Sequence, residues 1–341
     1  MDGGDPRDLN AGNTMSNFWN TLPTPHFALA PMEDVTDTVF RELIAGTAKP
    51  GHLHVLFTEF MSVDGFMHDA GREKVKHRLL VSNEERALLK EKGIYIVAQI
   101  WGSDPEKFYR AARDIALEYD FDGLDINMGC PVKKIVKHNA CSALIKVPEI
   151  AKEIILATRE GAGLPVSVKT RIGFNQVVTE EWIPHLLEVH PDAITIHGRT
   201  QKMQSEGTAD WNEVRKAVDI RNRMGSTTRI LGNGDVSDFQ DGMDRAGKYK
   251  SDGIMVGRGI FHNPFFFADN SDVAHEQKLQ LLQRHLERFD QQWGHEKHFA
   301  ILKRFLKIYG HSFEGAGEMR AQMMDTHSCM KALKVLEKSI V

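Results

Sequence analysis

Cysteine is nearly absent from this chain. Cys130, Cys141 and Cys329 are the only three among 341 residues, too few for a disulfide framework, and their spacing fits no zinc pattern. Reduced thiols and no bound metal are the expectation. Also missing is any apolar run near the roughly 20 residues that a membrane span needs, and the polar opening at 1–13 lacks the basic and apolar regions of a secretory signal. The expectation is a cytoplasmic protein with no membrane association. An excess of basic charge is lacking as well: 43 Lys and Arg stand against 47 Asp and Glu, a formal net charge of −4, which speaks against a strongly basic nucleic-acid binder. The average hides an asymmetry. Residues 271–341 carry 11 basic against 9 acidic side chains, whereas residues 1–270 carry 32 against 38. With 41% hydrophobic and 26% charged residues, the composition gives no sign of disorder or of a fibrous protein. The length allows one large domain with a small one, or two ordinary domains.

What is present is a rhythm. Residues 1–25 are polar and read as a flexible N-terminal extension. Short apolar runs then recur at 27–31, 53–60, 94–101, 122–128, 166–172, 193–197, 229–233 and 253–257, with helical periodicity between them. Within 104–119, for example, Asp104 is a candidate N-cap and Pro105 a first-turn residue, and 148–160 is a second helical stretch. Strand alternating with helix predicts a parallel sheet. Eight such units over about 235 residues match the (β/α)8 barrel of the TIM type, here assigned to 26–270. A doubly wound sheet is the competing arrangement. Beyond about residue 264 the strand pattern stops; 274–293, 295–309 and 316–337 are helical by spacing, with breaks near Gly294 and at 310–315, so an all-helical domain is expected over 271–341.

In a barrel the polar residues at the strand ends converge on one mouth. They are Ala30-Pro31-Met32, Thr58-Glu59, Gln99, Asn127 with Cys130, Lys169 with Arg171, His197 with Arg199, Asn233 with Asp235, and Gly257-Arg258. Nearly every strand end offers a hydrogen-bonding or ionisable group, the pattern of a large polar ligand site. The run Leu124-Asp125-Ile126-Asn127-Met128 stops at Gly129-Cys130-Pro131, which puts the Cys130 thiol just past a strand end. Glycines in Gly232-Asn233-Gly234-Asp235 and Gly257-Arg258-Gly259 follow the seventh and eighth runs, where backbone N–H groups can reach a phosphate and Arg258 can add charge-assisted bonds. In the tail, Phe299, Leu302, Leu306 and Tyr309 recur at helical spacing while Lys303, Arg304 and Lys307 gather towards another side.

These motifs resemble the tRNA-dihydrouridine synthase family. The resemblance is carried by Ala30-Pro31-Met32-Glu33-Asp34-Val35-Thr36-Asp37, by Asp125-Ile126-Asn127-Met128-Gly129-Cys130-Pro131 with Lys134, and by Ser142-Ala143-Leu144. Val168-Lys169-Thr170-Arg171, Ile196-His197-Gly198-Arg199-Thr200, Gly232-Asn233-Gly234-Asp235 and Gly257-Arg258-Gly259 complete it. It implies an FMN-containing barrel that reduces the C5=C6 bond of particular uridines in tRNA with NADPH or NADH, working as a monomer. It makes Cys130 the proton donor to C5, opposite the hydride delivered to C6. A thiol with a reference pKa of about 8.5 is mostly protonated at neutral pH and still releases a proton readily. The resemblance assigns Pro31, Met32, Gln99, Lys169, His197, Asn233, Asp235, Gly257 and Arg258 to FMN, and puts Asn127 and Arg171 near the substrate base. A cation such as Lys169 near the flavin's N1 and O2 edge favours its anionic form, and His197 can donate towards carbonyls. Lys303, Arg304 and Lys307 supply cations for tRNA phosphates, and Arg320 joins them by resemblance.

Two positions depart from the family pattern, Asp34 and Cys141, each where Gly is usual; Cys141 reads as a local packing change, with a second thiol near the mouth as the alternative. Two other functions remain as alternatives. An FMN-dependent barrel reductase for a small molecule would have no use for the helical tail, and a tRNA-binding protein without catalysis would not need Cys130, Lys169 and His197 intact.

Overall fold

The computed structural model describes residues 17–268, 273–294, 296–309 and 315–340. Eight strands form its centre: β1 (His26–Leu29), β2 (Val55–Phe57), β3 (Tyr95–Trp101), β4 (Gly123–Met128), β5 (Val166–Arg171), β6 (Ala193–His197), β7 (Arg229–Asn233) and β8 (Gly253–Val256). Each pairs in parallel with the next. β8 returns to β1 with Phe27 opposite Ile254 and Ala28 opposite Met255. That closure excludes the doubly wound sheet, which would keep two open edges. A two-residue strand, Met61–Ser62, adds to the mouth end of β3.

Strand alternation sets the layers. Phe27 and Leu29 pack outward into the core shared with the helices, while Ala28 and Ala30 point inward with Val55, Phe57, Val97, Ala193, Leu231 and Met255. Phe18, Trp19 and Leu22 belong to that interior and anchor 17–25 to the barrel, which corrects the expectation of a flexible extension there; 1–16 lie outside the described residues. Phe18 and Trp19 are buried, Phe18 stacking on Tyr95 at 4.5 Å between ring centroids and Trp19 meeting His26 edge-on at 5.7 Å. Asn17 donates to Asp192 at 2.5 Å. Since Tyr95, His26 and Asp192 all sit at strand beginnings, this segment plugs the N-terminal end of the barrel. The polar average hid its three apolar anchors, Phe18, Trp19 and Leu22, each worth about 1.5–3 kcal/mol when buried.

The same end is aligned by three aspartates that precede strands. Asp122 accepts from Ile96 N at 2.7 Å, Asp192 from Val166 N at 2.7 Å and Asp252 from Ile230 N at 2.8 Å, so each carboxylate ties its own strand to the start of a neighbour. The opposite end carries the loops, and chemistry is free to vary there. The helices follow local signals: Asp104 caps Pro105–Glu118 through Glu106 N at 3.0 Å, and Pro148–Ala162 stops at Gly163, whose φ is +63°.

The tail departs from its expected helices. His275–Trp293 forms, but Phe299–Arg304 is a 3-10 turn followed by the short helix Leu306–Tyr309, and the expected helix over 316–337 is two, Ala316–Met324 and Cys329–Ile340. Thr326 Oγ1 donates to Met323 O at 2.7 Å and Ser328 Oγ accepts from Lys331 N at 3.3 Å. Side chains that bond their own backbone compete with a continuous helix, and they end one here and start the next. The expected break at 310–315 falls mostly outside the described residues. The tail packs on helix Thr38–Thr47: His285 and Phe305 meet the Phe40 ring at 5.9 and 5.2 Å, His285 Nδ1 lies 3.0 Å from Tyr309 Oη, and Arg288 pairs with Glu42 at 2.8 Å.

Candidate active site at the barrel mouth

A cavity of about 490 Å³ opens at the C-terminal ends of β1 and β5 to β8, within the range of sites for cofactor-sized molecules. Pro31, Met32, Lys169, Arg171, His197, Asn233, Asp235, Gly257 and Arg258 line it, so most of the residues expected at the cofactor come together. Gly257 explains part of the space. A Cβ added there would find nothing nearer than Ala30 Cβ at 3.8 Å and Asn233 Nδ2 at 4.0 Å, so the glycine leaves room that a side chain would fill. Gly234 is required by its backbone, at φ +121°, and by the His197 ring, whose Cδ2 a Cβ would approach to 2.9 Å.

Charge in the cavity is predominantly positive. Lys169 Nζ donates to Asn233 Oδ1 at 3.2 Å, and Asn233 is itself oriented by donating to Met255 O at 2.8 Å. Burial, then the nearby Arg171 charge, bring the Lys169 pKa down to about 8. Burial and the surrounding Lys169, Arg171, Arg199 and Arg258 keep His197 neutral. Arg199 Nη1 lies 3.3 Å from His197 Nε2, and because a guanidinium only donates, Nε2 is the acceptor and the imidazole proton sits on Nδ1. Arg199 also pairs with Asp235 at 2.6 Å. Burial would raise the Asp235 carboxyl, but the Arg199 bonds and Ala209 N outweigh it and hold it below its ordinary range. Asp235 stands at φ +55° and reaches Arg258 at 3.4 Å. Its carboxylate thus serves the two arginines, a role the sequence did not indicate.

Beside the cavity stands the Cys130 loop. Asn127 Oδ1 accepts from Gly129 N at 3.1 Å and Cys130 N at 2.9 Å, which bends the chain out of β4. Arg171 grips the same loop, donating to Gly129 O at 2.6 Å and to the carbonyls of Thr200 and Gln204 at 3.1 and 2.8 Å; burial first brings its pKa down to about 10. Cys130 is half-buried and its thiol is lowered to about 7, mainly by a hydrogen bond from the Cys141 thiol, against the upward push of burial. Cys141 is fully buried, at φ +54°, and burial pushes its thiol up, so it keeps its proton and acts as the donor. It lies beside Cys130 and lowers that thiol, which favours the reading of a second thiol near the mouth.

Several expected residues lie elsewhere. Gln99 is fully buried and does not line the cavity. Its Nε2 donates to Asp125 Oδ2 at 2.6 Å and its Oε1 accepts from Asn127 Nδ2 at 3.0 Å, while Ser167 holds the other Asp125 oxygen at 2.6 Å. Burial raises Asp125 to about 6. Gln99 therefore orients Asn127 from below. The tail cluster is split: Lys303 donates to Met324 O at 2.5 Å, Arg304 turns to Asp34 at 3.4 Å, and the Lys307 side chain lies outside the described residues. Arg320 is half-buried on helix Ala316–Met324. Lys297, which the sequence did not single out, reaches Asp37 and Glu59, each at 3.2 Å. Ser205, Val236, Ser237 and His262 also line the cavity without any prior signal. Among the described residues, no group of three or more His, Cys, Asp or Glu could hold a metal ion, and no helix is long and apolar enough to cross a membrane.

The family model for dihydrouridine synthase matches residues 28–341, from β1 to the end of the tail. The chain belongs to the dihydrouridine synthase family. A Staphylococcus epidermidis protein called probable tRNA-dihydrouridine synthase is 42% identical over 324 residues, covering 94% of this chain and 95% of its own length. A Bacillus subtilis protein called probable tRNA-dihydrouridine synthase 2 is 40% identical, covering 94% and 96%. Solved structures agree on the barrel alone. Histamine dehydrogenase from Rhizobium sp. 4-9 aligns with a TM-score of 0.51 at 13% identity, over 80% of this chain and 51% of that one. As a dihydrouridine synthase, the chain keeps left-handed backbone at both departures, Asp34 at φ +55° and Cys141 at φ +54°. That conformation suits Gly, and here each replacement side chain gains a partner, Arg304 and Cys130 respectively.

Proposed function

We propose that this protein reduces the C5=C6 bond of uridines in tRNA to 5,6-dihydrouridine, with FMN in the mouth cavity and NADPH or NADH as reductant. The observation that carries the reading is the juxtaposition of the Cys130 loop with a cationic cavity whose floor glycine leaves space. The residues fit the cofactor: Lys169 supplies a cation, His197 an Nδ1–H donor, and Gly257 with Arg258 a place for a phosphate. FMN, when bound, supplies the hydride for C6.

The remaining steps belong to the chain. Asn127 and Arg171 hold the Cys130 backbone, so the thiol is presented beside the cavity with little freedom to move. Its proton goes to C5, and a thiol near pKa 7 suits an acid working near neutrality. Cys141 then stabilises the thiolate that remains. The helices beyond residue 271 serve as a tRNA-holding module, because a uridine must be drawn from its stack before its edge meets the cofactor. Lys303, Arg304, Lys307 and Arg320 are its candidate phosphate contacts. The exposed Arg304–Asp34 pair is weak enough to exchange for a phosphate.

Two measurements test the reading. Heat-denatured protein should release a flavin with the chromatographic mobility of the mononucleotide; FAD, or no binding after reconstitution with FMN, contradicts it. Mapping dihydrouridine in tRNA from cells lacking the gene should show specific positions reverting to uridine. An unchanged map with a retained flavin points instead to a small-molecule reductase.

A further inference from the structure

Lys297 ties the tail to the barrel mouth. Its ammonium lies 3.2 Å from Asp37 Oδ2 and 3.2 Å from Glu59 Oε2, and the three side chains are only 10%, 8% and 2% exposed. Its outer side rests on the Trp293 ring, 4.1 Å from the centroid. Both carboxylates do further work. Asp37 Oδ1 caps helix Thr38–Thr47 by accepting from Phe40 N at 3.0 Å, and Glu59 Oε1 accepts from Asp34 N at 2.7 Å. Asp34 is the left-handed residue of the turn after β1. That turn is closed by Thr36 N on Met32 O at 3.0 Å and by Met32 N on Thr36 Oγ1 at 2.9 Å. Pro31 and Met32, at its start, form one wall of the mouth cavity.

We infer that Lys297 is a positioning residue for the reaction: by joining Glu59 and Asp37 it holds the Met32–Asp37 turn in the shape that walls the cofactor cavity, so that docking of the C-terminal helices completes the cofactor site. The inference rests on the FMN reading above. Physically, Lys297 is the cation between two buried carboxylates. Without it these would face each other with little water, Glu59 would protonate or swing away, and the turn would lose the acceptor that fixes Asp34. Burial already biases Glu59 towards the neutral form, with Lys297 opposing that bias. Arg304 and Arg78 steady the same turn from outside through Asp34 and Glu33, but both pairs are more exposed and substitute poorly for a buried tie.

The test uses full-length protein stripped of flavin and titrated with FMN by fluorescence quenching, comparing wild type with Lys297→Met, Lys297→Arg and the double variant Lys297→Met/Glu59→Gln. Lys297→Met should weaken FMN binding roughly ten-fold and alter the visible flavin spectrum, as expected when support behind a ligand-contacting residue is lost. Lys297→Arg should restore most of the affinity. The double variant should bind FMN better than Lys297→Met, because Glu59, one of the two buried carboxylates left without their cation, is neutral there while an oxygen acceptor for Asp34 N is kept. FMN affinity within two-fold of wild type in Lys297→Met overturns the inference and leaves Lys297 as a structural tie only; where that variant does not fold, Lys297→Gln is titrated in its place and read by the same criterion. Failure of wild type to bind FMN overturns the cofactor reading instead.

Discussion

At the scale of single residues, the proposed chemistry concentrates on Cys130. Sequence reasoning put a thiol past a strand end and expected it to be mostly protonated; the Cys141 donor lowers it to about 7. A general acid must carry its proton, so uridine reduction is present below that value and should decline as pH rises through about 7. Cys141→Gly removes the donor and suits the left-handed backbone. Its declining limb should move up by about one unit or more, towards the ordinary thiol range. Superimposed pH–rate profiles for the two proteins would refute this role for Cys141. Lys169, His197, Arg258 and the glycines were legible because strand-end position alone puts them at a barrel mouth. Gln99 was not, and of Asp235 only its place at the mouth was, not its partners. Which neighbour a polar side chain chooses is fixed by distances across strands, and these placed Gln99 under Asn127 and Asp235 against Arg199.

Among the elements, eight strands were readable from period and spacing, and their ends from glycine and proline. The plug at 17–25 escaped because three apolar residues in a polar stretch give no period. Trp19→Ala should lower the urea midpoint, with a loss of about 3 kcal/mol or more, while leaving FMN affinity unchanged since the mouth lies at the other end. A variant as stable as wild type would mean that the segment is not part of the core. The loop after β8 makes the opposite prediction. Gly257→Leu has room for its Cβ, so the cofactor-free protein should unfold within about 2 °C of wild type, yet the side chain should occupy the cavity and reduce FMN affinity at least about ten-fold. Unchanged FMN binding would place the cofactor away from β8.

Considered as a whole, the molecule combines a barrel with net charge of opposite sign to its tail, and the tail buries its apolar face against the barrel's own core. The helical character of the tail was legible; its breaks, set by Thr326 and Ser328, and its inward cation Lys297 were not, since neither alters hydrophobic spacing. Replacing Lys303, Arg304 and Lys307 by Ala should weaken tRNA binding and flatten its dependence on salt, because fewer counterions are released. An unchanged salt slope would make that cluster a solvated face. The central claim is that this barrel reduces uridine in tRNA with Cys130 as the acid. Its most direct test is a single-turnover assay on unmodified tRNA, with FMN-loaded wild-type and Cys130→Ala proteins reduced beforehand by NADPH and dihydrouridine quantified by mass spectrometry. Wild type should convert uridine, and Cys130→Ala should accept electrons from NADPH normally yet form dihydrouridine about 10²- to 10⁴-fold more slowly. No product from wild type, or equal rates in the two proteins, would contradict the account.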